Sequence, residues 1–520
     1  MPDQRQDRGG WLRRAPTRGD VVAGISVGLV LVPQSFAYAT LAGMPPERGL
    51  LVAVAATLAA APFASSPFLQ TGPVAITALL TFGALQGLAP TGGPEFVALG
   101  MMLALLVGLI RLTIGLLGEG AMAYLLSRPV LAGFTPAAAL VIAASQVPLA
   151  LGSDAQGQIM LRAARAMVDV GSWDPMTLAF AVASTVGLWL GTRRWPLFPS
   201  VLVVVVAGIV LARATSYAGA VVGEVPGISF VAAFDLPLQR LNALLVPALI
   251  IAVVGFGDAA AVARNYAAET RTRWDANREF VSQGAANIAS GLVGGFPAGG
   301  SFSRSAIGRL AGAQTTWAGA LSGLVALAFV PFINVLADLP IAVLSGIIVA
   351  SVATLLPARE LRELRGLSRP QFRIAGITAL LTVILAPAIQ WALMVGVALA
   401  IGWHLRRETL ISISTWTQGS TLHLRPSGVL YFGSAHTIRE SFQSLLARDP
   451  DVDAFVLHLD RLGRMDVSGA LELRDLVDEA ERAGVRASLT DLVPASQKIL
   501  QRVLGASIST VSASSPDVED

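Results

Sequence analysis

Apolar residues fill this chain in long, nearly unbroken stretches up to about residue 404, then give way to short alternating runs. Stretches of about 17–25 apolar residues have the length a helix needs to cross a bilayer. Set against glycine, proline and charge breaks, they predict spans at 21–42, 49–64, 72–88, 96–117, 129–151, 175–192, 197–213, 243–263, 281–295, 302–313, 316–337, 341–356, 372–387 and 389–404. The third and tenth begin abruptly after glycine and proline, and the tenth is too short to cross alone. Beyond Arg407 the pattern is that of a small α/β sandwich. Strand-like runs at Thr421–Leu424, Val429–Phe432, Ala454–Leu459 and Val485–Leu489 alternate with two amphipathic helical faces. One face is Ile438, Phe442, Leu445 and Leu446; the other is Ile499, Leu500, Val503 and Leu504. The expected organisation is an N-terminal segment over 1–20, a membrane domain over 21–407, an α/β domain over 412–508, and a polar tail over 509–520 that reads as disordered.

Arginine placement orients the spans. Five arginines precede the first (Arg5, Arg8, Arg13, Arg14, Arg18), and Arg193 and Arg194 follow the sixth. Arg264, Arg271, Arg273 and Arg278 follow the eighth, Arg359, Arg362, Arg365 and Arg369 the twelfth, and Arg406 and Arg407 the fourteenth. With that count all lie on one side, which the positive-inside rule makes cytoplasmic, together with both termini. The main exception, Arg162 and Arg165, shares its loop with Asp154, Asp169 and Asp174. Ala37-Tyr38-Ala39 imitates a signal cleavage site after a basic start, but the apolar run continues past it. An uncleaved first transmembrane helix is therefore expected.

Composition agrees with a polytopic membrane protein: 54% of the 520 residues are hydrophobic and only 14% charged. The chain has no cysteine, which excludes disulfides, iron–sulfur clusters and thiolate zinc sites. Its four histidines, at 404, 423, 436 and 458, are too scattered for a metal cluster. No nucleotide-binding loop or nucleophile–histidine pairing is present, so an enzyme, a cofactor and a nucleic-acid partner are not expected. Lysine occurs only at 498 while arginine abounds, as in a GC-rich bacterial genome. A bacterial cytoplasmic (inner) membrane is the expected location.

The candidate chemistry lies in Phe296-Pro-Ala-Gly-Gly-Ser301-Phe-Ser-Arg304-Ser-Ala306. An always-charged guanidinium at membrane depth needs a partner or a water-filled cavity, and irregular backbone is tolerated there only against protein or a cavity. A duplication is suggested as well. Pro33-Gln34 interrupts a span and Gly72-Pro73 begins another about 38 residues on; Gly255-Phe-Gly257-Asp258 interrupts a later span and Ser301 follows about 43 residues on. Paired interruptions in two halves point to a transporter binding site at an inverted repeat. If spans three and ten are half-helices meeting tip to tip, their N–H groups and dipoles converge on one anion-binding place. Gly72, Gly299 and Gly300 permit close approach, and Ser301, Ser303 and Ser305 offer hydroxyls. Arg304 supplies a charged fork suited to oxyanions, or else a structural salt bridge. Gln34 and Tyr38, one turn apart, either wall the pocket or make interhelical packing contacts. Asp258 can carry a proton, ligate a cation or neutralise Arg304; the following Ala259, Ala260, Ala261 and Val262 offer no side-chain oxygen, which favours a proton over sodium. Arg111 and Arg309, also within apolar stretches, read as snorkelling or helix-pairing residues.

Val32-Pro-Gln-Ser-Phe-Ala-Tyr-Ala39, Gln70-Thr-Gly-Pro-Val-Ala-Ile76, Asn287 through Gly295-Phe-Pro297, and Ser301-Phe-Ser-Arg-Ser305 resemble the SulP anion transporters, the sulfate-permease family, over most of residues 15–510. The resemblance implies an α-helical polytopic membrane protein of fourteen transmembrane segments in a seven-plus-seven inverted repeat, and a homodimer. It implies a core of spans one to four and eight to eleven, and a gate of the rest. It also implies substrate contacts at Gln34, Tyr38, the tip Gly72, Pro73 and Val74, Ser303 and Arg304, with Asp258 in coupling. Asp466-Val-Ser468-Gly469 resembles the signature of a cytoplasmic STAS domain, in whose soluble relatives the serine can be phosphorylated; Ser468 is a regulatory candidate or simply a helix cap. The function expected is elevator-like secondary transport of a small anion (sulfate, bicarbonate, or a dicarboxylate such as fumarate or succinate), with a coupling proton preferred to sodium. Anion exchange, a nucleobase permease and a membrane-tethered anion sensor are the alternatives.

Overall fold

The computed structural model describes residues 15–124, 127–195, 197–224, 236–408, 411–431, 434–448, 451–491, 499–500 and 502–503. The N-terminal arginines at 5–14, Phe432, Leu504 and the tail 509–520 lie outside them. The chain divides into two units, at 1–398 and 399–520.

In the first unit, the first half of the chain runs α1 (Arg18–Leu41), α2 (Pro46–Ala60), β1 (Gln70–Gly72), α3 (Ala75–Leu85), α4 (Pro94–Leu116), α5 (Arg128–Leu151), α6 (Ile159–Val168), α7 (Pro175–Arg194) and α8 (Ser200–Ala214). The second half runs α9 (Leu241–Thr270), α10 (Ala276–Leu292), β2 (Gly299–Ser301), α11 (Phe302–Leu310), α12 (Trp317–Phe329), α13 (Ile341–Ala353), α14 (Arg359–Leu367), α15 (Arg369–Ile384) and the start of α16 (Ile389–Glu408), which runs on past residue 398. Each of the fourteen expected spans coincides with one helix. The two additional helices, α6 and α14, are short and amphipathic. Among the described residues, seven helical segments are long and apolar enough to cross a membrane unaided; α3 and α11 are half-length. Helix starts follow their side chains. Thr17 and Asp20 form a reciprocal capping box at α1, while Asp174 caps α7 and Asp275 caps α10.

Packing respects an exchange of the two halves. Helix α1 lies on α12 as α9 lies on α4, and α7 lies on α13 as α15 lies on α5. Helices α1–α4 and α9–α12 pack among themselves as one bundle, and α5, α7, α8, α13 and α15 as another. The bundles meet along α1 against α13 and α8, and along α3 against α5. Small residues set the spacing. A Cβ on Gly49 of α2 would overlap the carbonyl of Ser35 on α1, so the two backbones touch.

One expectation is overturned here. Pro33-Gln34 and Gly255–Asp258 do not interrupt their helices: α1 and α9 run continuously through them. Proline and glycine are tolerated inside membrane helices that neighbouring helices support. The true breaks come only before α3 and α11.

The second unit orders β3 (Ser412–Gln418), β4 (Thr421–Leu430), α17 (Ala435–Leu446), β5 (Ala454–His458), β6 (Leu462–Met465), α18 (Val467–Arg482) and β7 (Arg486–Thr490). The sheet order is β3-β4-β5-β7, with β6 also beside β4; β3–β4 is antiparallel and the other pairs are parallel. The runs 421–424 and 429–432 are expected as separate strands, but residues 421–430 form one, β4, with Pro426 and Gly428 accommodated inside it; Tyr431 lies past its end. Strand β3, too polar to signal itself, was not foreseen. Leu424, Leu430, Ile438, Phe442, Phe455 and Leu473 centre a core of its own. Asp466, not Ser468, caps α18 by accepting from Gly469 N at 2.6 Å; Ser468 is exposed in the first turn.

Candidate functional site

The two half-helices are joined at their starts by a miniature sheet. Strands β1 and β2 pair antiparallel, with Gln70 opposite Ser301, Thr71 opposite Gly300 and Gly72 opposite Gly299. Helix α3 begins directly after β1 and α11 directly after β2, so their N-termini are brought together from opposite directions, and two sets of free N–H groups face one region. Gly300 makes this possible: a Cβ there would stand 2.8 Å from the Cβ of Ala259 and 2.9 Å from its Cα. Ser301 caps α11, its hydroxyl accepting from Arg304 N at 3.4 Å.

Polar side chains from neighbouring helices satisfy the strands. Thr57 on α2 donates to Thr71 O (2.9 Å), and Gln283 on α10 donates to Thr71 Oγ1 (2.6 Å). Asn287 holds both ends of Ala298, accepting from its N–H at 2.9 Å and donating to its carbonyl at 3.2 Å, and Ser290 donates to Phe296 O at 2.6 Å. Gln283, Asn287 and Ser290 recur at helical spacing in a membrane helix, a pattern that could have identified them in advance.

Arg304 is fully buried. Its NH1 donates to Gln34 Oε1 at 3.3 Å, while Nε and NH2 have no hydrogen-bond partner. Gly72 lies against NH2: a Cβ there would be 3.3 Å away. No carboxylate pairs with the guanidinium among the described residues, so Asp258 does not neutralise it and a structural salt bridge is absent. Ser305 is turned toward β1 and accepts from Gln70 N at 2.9 Å.

A cavity of about 60 Å³ opens on the front of this arrangement, lined by Tyr38, Val74, Asp258, Ser301, Ser303 and Ser351, among others. The structure thus gathers four expected residues, Tyr38, Val74, Ser301 and Ser303, around Asp258. Gln34, Gly72, Pro73 and Arg304 do not line the cavity; Gln34 and Arg304 bond each other behind it. Ser351 from α13, on the second bundle, and Thr354 at the C-terminal end of that helix complete the wall. They were not anticipated, because nothing in the apolar run 341–356 sets them apart. No hydrogen bond or ion pair reaches the Asp258 carboxylate among the described residues. A larger cavity of about 910 Å³ lies between α9 and the α5–α14 side, bordered by Arg128, Arg264, Glu360 and Glu363, and reaches Gly257 beside Asp258.

Arg111 and Arg309 both pair helices, one of the two roles expected of them, but in different settings. Arg309 is partly exposed, bonds Glu269 at 3.4 Å and covers the Phe68 ring. Arg111 does not snorkel at all. It is fully buried and donates to Ala252 O (3.0 Å), Ala298 O (3.0 Å) and Ile251 O (2.9 Å).

The sequence profile of the sulfate permease family matches residues 17–378, and that of the STAS domain matches residues 412–515. A protein of Mycobacterium tuberculosis described as a probable sulfate transporter is 32% identical over 496 residues, covering 90% of this chain and 88% of its own. The chloroplastic sulfate transporter 4.1 of Arabidopsis thaliana is 31% identical over 420 residues, covering 78% of this chain and 61% of its own. Among solved structures, the murine Solute Carrier 26 family member A9 anion transporter superposes with a TM-score of 0.86 at 20% identity, covering 95% of this chain and 89% of its own. The transmembrane domain of a cyanobacterial bicarbonate transporter superposes with a TM-score of 0.64 at 22% identity, covering 71% and 97%. At such identities these two likenesses speak for the fold.

Proposed function

Because the chain belongs to the sulfate permease family, whose members are transporters and not enzymes, we propose that it is a proton-coupled secondary transporter of a small oxyanion of the sulfate class. The observation that carries the proposal is the convergence of two half-helix N-termini on one small cavity, with the buried, under-bonded Arg304 behind it and Asp258 on its wall. Two helix starts and a buried guanidinium make the region positive. Ser301 and Ser303 hydroxyls, with the Tyr38 phenol, can donate to bound oxygens. A cavity of about 60 Å³ suits a compact oxyanion better than an extended dicarboxylate such as fumarate.

Asp258 supplies the coupling in this reading. Its carboxylate shares the cavity with the anion, so when ionised it repels the ligand and when protonated it does not. Anion and proton therefore bind together more favourably than either does alone, which is the linkage symport requires. Ala259, Ala260, Ala261 and Val262 leave the next turn without side-chain oxygens, which argues against a sodium site. The positive-inside rule places the arginine-rich ends in the cytoplasm of a bacterial cell. The cavity bordered by Arg128 and Arg264 is then the cytoplasmic access route, and movement of the α1–α4/α9–α12 bundle against the other carries the site across the membrane. We assign the same rule to both termini, propose a homodimer as the working unit, and give the STAS domain a regulatory role in which exposed Ser468 is the modification candidate.

The test is uptake of labelled sulfate into proteoliposomes with and without an inward proton gradient. Proton-stimulated uptake that Asp258→Asn makes indifferent to the gradient is expected. Uptake that ignores protons and requires internal anion would replace symport by exchange, leaving Asp258 no coupling role.

A further inference from the structure

Arg111 stands out as a buried cation with no counter-ion among the described residues. Its guanidinium bonds only to carbonyls: two on α9 and that of Ala298, the residue immediately before β2. Those bonds cross from the first repeat, where α4 resides, to the second. The same guanidinium abuts Gly255, where a Cβ would be 2.8 Å from NH2 and 3.0 Å from Thr77 Cγ2 in the first turn of α3. Thr77 and Val74 in turn flank Gly299, where a Cβ would lie 3.3 Å and 3.1 Å from their methyl groups. Arg111 therefore sits behind the junction of α3, α9 and β2, one helical turn along α9 from Asp258, and adds a full charge to the place where both half-helices begin. Three carbonyl oxygens satisfy its donors without cancelling that charge.

We propose that Arg111 is a second fixed positive charge of the anion site and sets its preference for doubly over singly charged anions. The inference rests on the anion-site reading above and deepens it. Asp258 is the acid on the cavity wall, while the fully buried acids of this bundle, Asp20 and Glu279, accept from backbone N–H groups at Gln314 and Thr315 and at Ser65 and Ser66. Arg111, Arg304 and Asp258 together therefore carry a net charge of plus one when Asp258 is ionised and plus two when it is protonated. A dianion matches the protonated state; a monoanion leaves positive charge uncompensated in low dielectric. Coulomb energy is linear in ligand charge, so deleting a fixed charge costs a dianion twice the free energy it costs a monoanion, and the fold-loss for the dianion is the square of that for the monoanion.

The experiment compares sulfate and nitrate binding to the full-length protein, by competition against labelled sulfate, for the wild type, Arg111→Gln and Arg111→Lys. If Arg111→Gln weakens nitrate by ~10-fold, sulfate should weaken by ~100-fold. Equal losses for both anions, or no loss, would reduce Arg111 to a backbone tether and overturn the inference. Should Arg111→Gln not fold, Arg111→Lys answers alone. A buried lysine sheds its proton as pH rises whereas arginine keeps its own, so the sulfate-over-nitrate preference should fall with rising pH in Arg111→Lys relative to the wild type. A preference that tracks the wild type at every pH overturns the proposal. Wild-type protein that binds neither anion would remove the anion site itself, an outcome distinct from unselective binding, which would refute only the role of Arg111.

Discussion

Arg304 and Asp20 show what a buried charge does at the scale of single residues. Asp20 is fully enclosed yet accepts from the backbone N–H groups of Thr17, Gln314 and Thr315 and from the Thr315 hydroxyl, so it ties the start of α1 to the turn before α12. Arg304 is as deeply enclosed, but only one of its three nitrogens is bonded. An unmet buried donor costs about 1–3 kcal/mol, and that cost is tolerated where a ligand will supply the missing acceptors. Arg304→Met should therefore raise the Tm of the anion-free protein while reducing sulfate binding by about two orders of magnitude, the converse of Asp20→Ala, which should lower the Tm. Thermal unfolding with and without sulfate separates them; an Arg304→Met protein that keeps sulfate-dependent stabilisation would remove Arg304 from the site. Arg304 and Asp258 were legible because a charge in an apolar run has few explanations. Their mutual arrangement was not, since sequence gives no sign that Gln34 rather than Asp258 meets the guanidinium.

Among elements, the half-helices were legible and the strands that join them were not. Glycine and proline before residues 75 and 302 announce a fresh helix start, whereas three-residue strands carry no periodicity. The same signals misled at Pro33 and Gly255, where close packing against neighbouring helices keeps α1 and α9 intact. The glycines therefore differ in what they do, and substitution should tell them apart. At Gly300 an added methyl meets Ala259 at 2.8 Å, pushing α9, and Asp258 with it, away from β2. Gly300→Ala is expected to cost about 1–3 kcal/mol of stability and to abolish sulfate uptake. Gly376 in α15 has open space around its Cβ position, so Gly376→Ala should leave uptake intact and add up to about 1 kcal/mol through helix propensity. Equal uptake by both variants would show that the α9–β2 approach is not critical.

At the scale of the whole molecule, the pattern changes near Arg407, because continuous apolar helices and alternating strands bury their surfaces by different periodicities. What stayed hidden was a stack across the polar strands of the second unit. Trp416 lies parallel to His423, with ring centroids 5.0 Å apart, and His423 Nδ1 meets His458 Nε2 at 3.1 Å. His458 Nδ1 in turn bonds Asp491 at 2.7 Å, and Arg425 covers the Trp416 ring. Burial, with the neighbouring His458 adding to it, holds His423 below the ordinary histidine range. Folded protein then takes up this proton less readily than unfolded chain does. The contribution of His423 to stability is complete above pH 6.5, and it is lost as pH falls through the lowered folded value. The second unit has a hydrophobic core of its own, so a fragment starting at residue 411 should fold alone, with Trp416 as its single tryptophan reporter. Urea unfolding of that fragment should show stability falling from pH 7 to pH 5, and His423→Gln should flatten the fall. A decline of the same size in His423→Gln would assign the pH dependence to other groups.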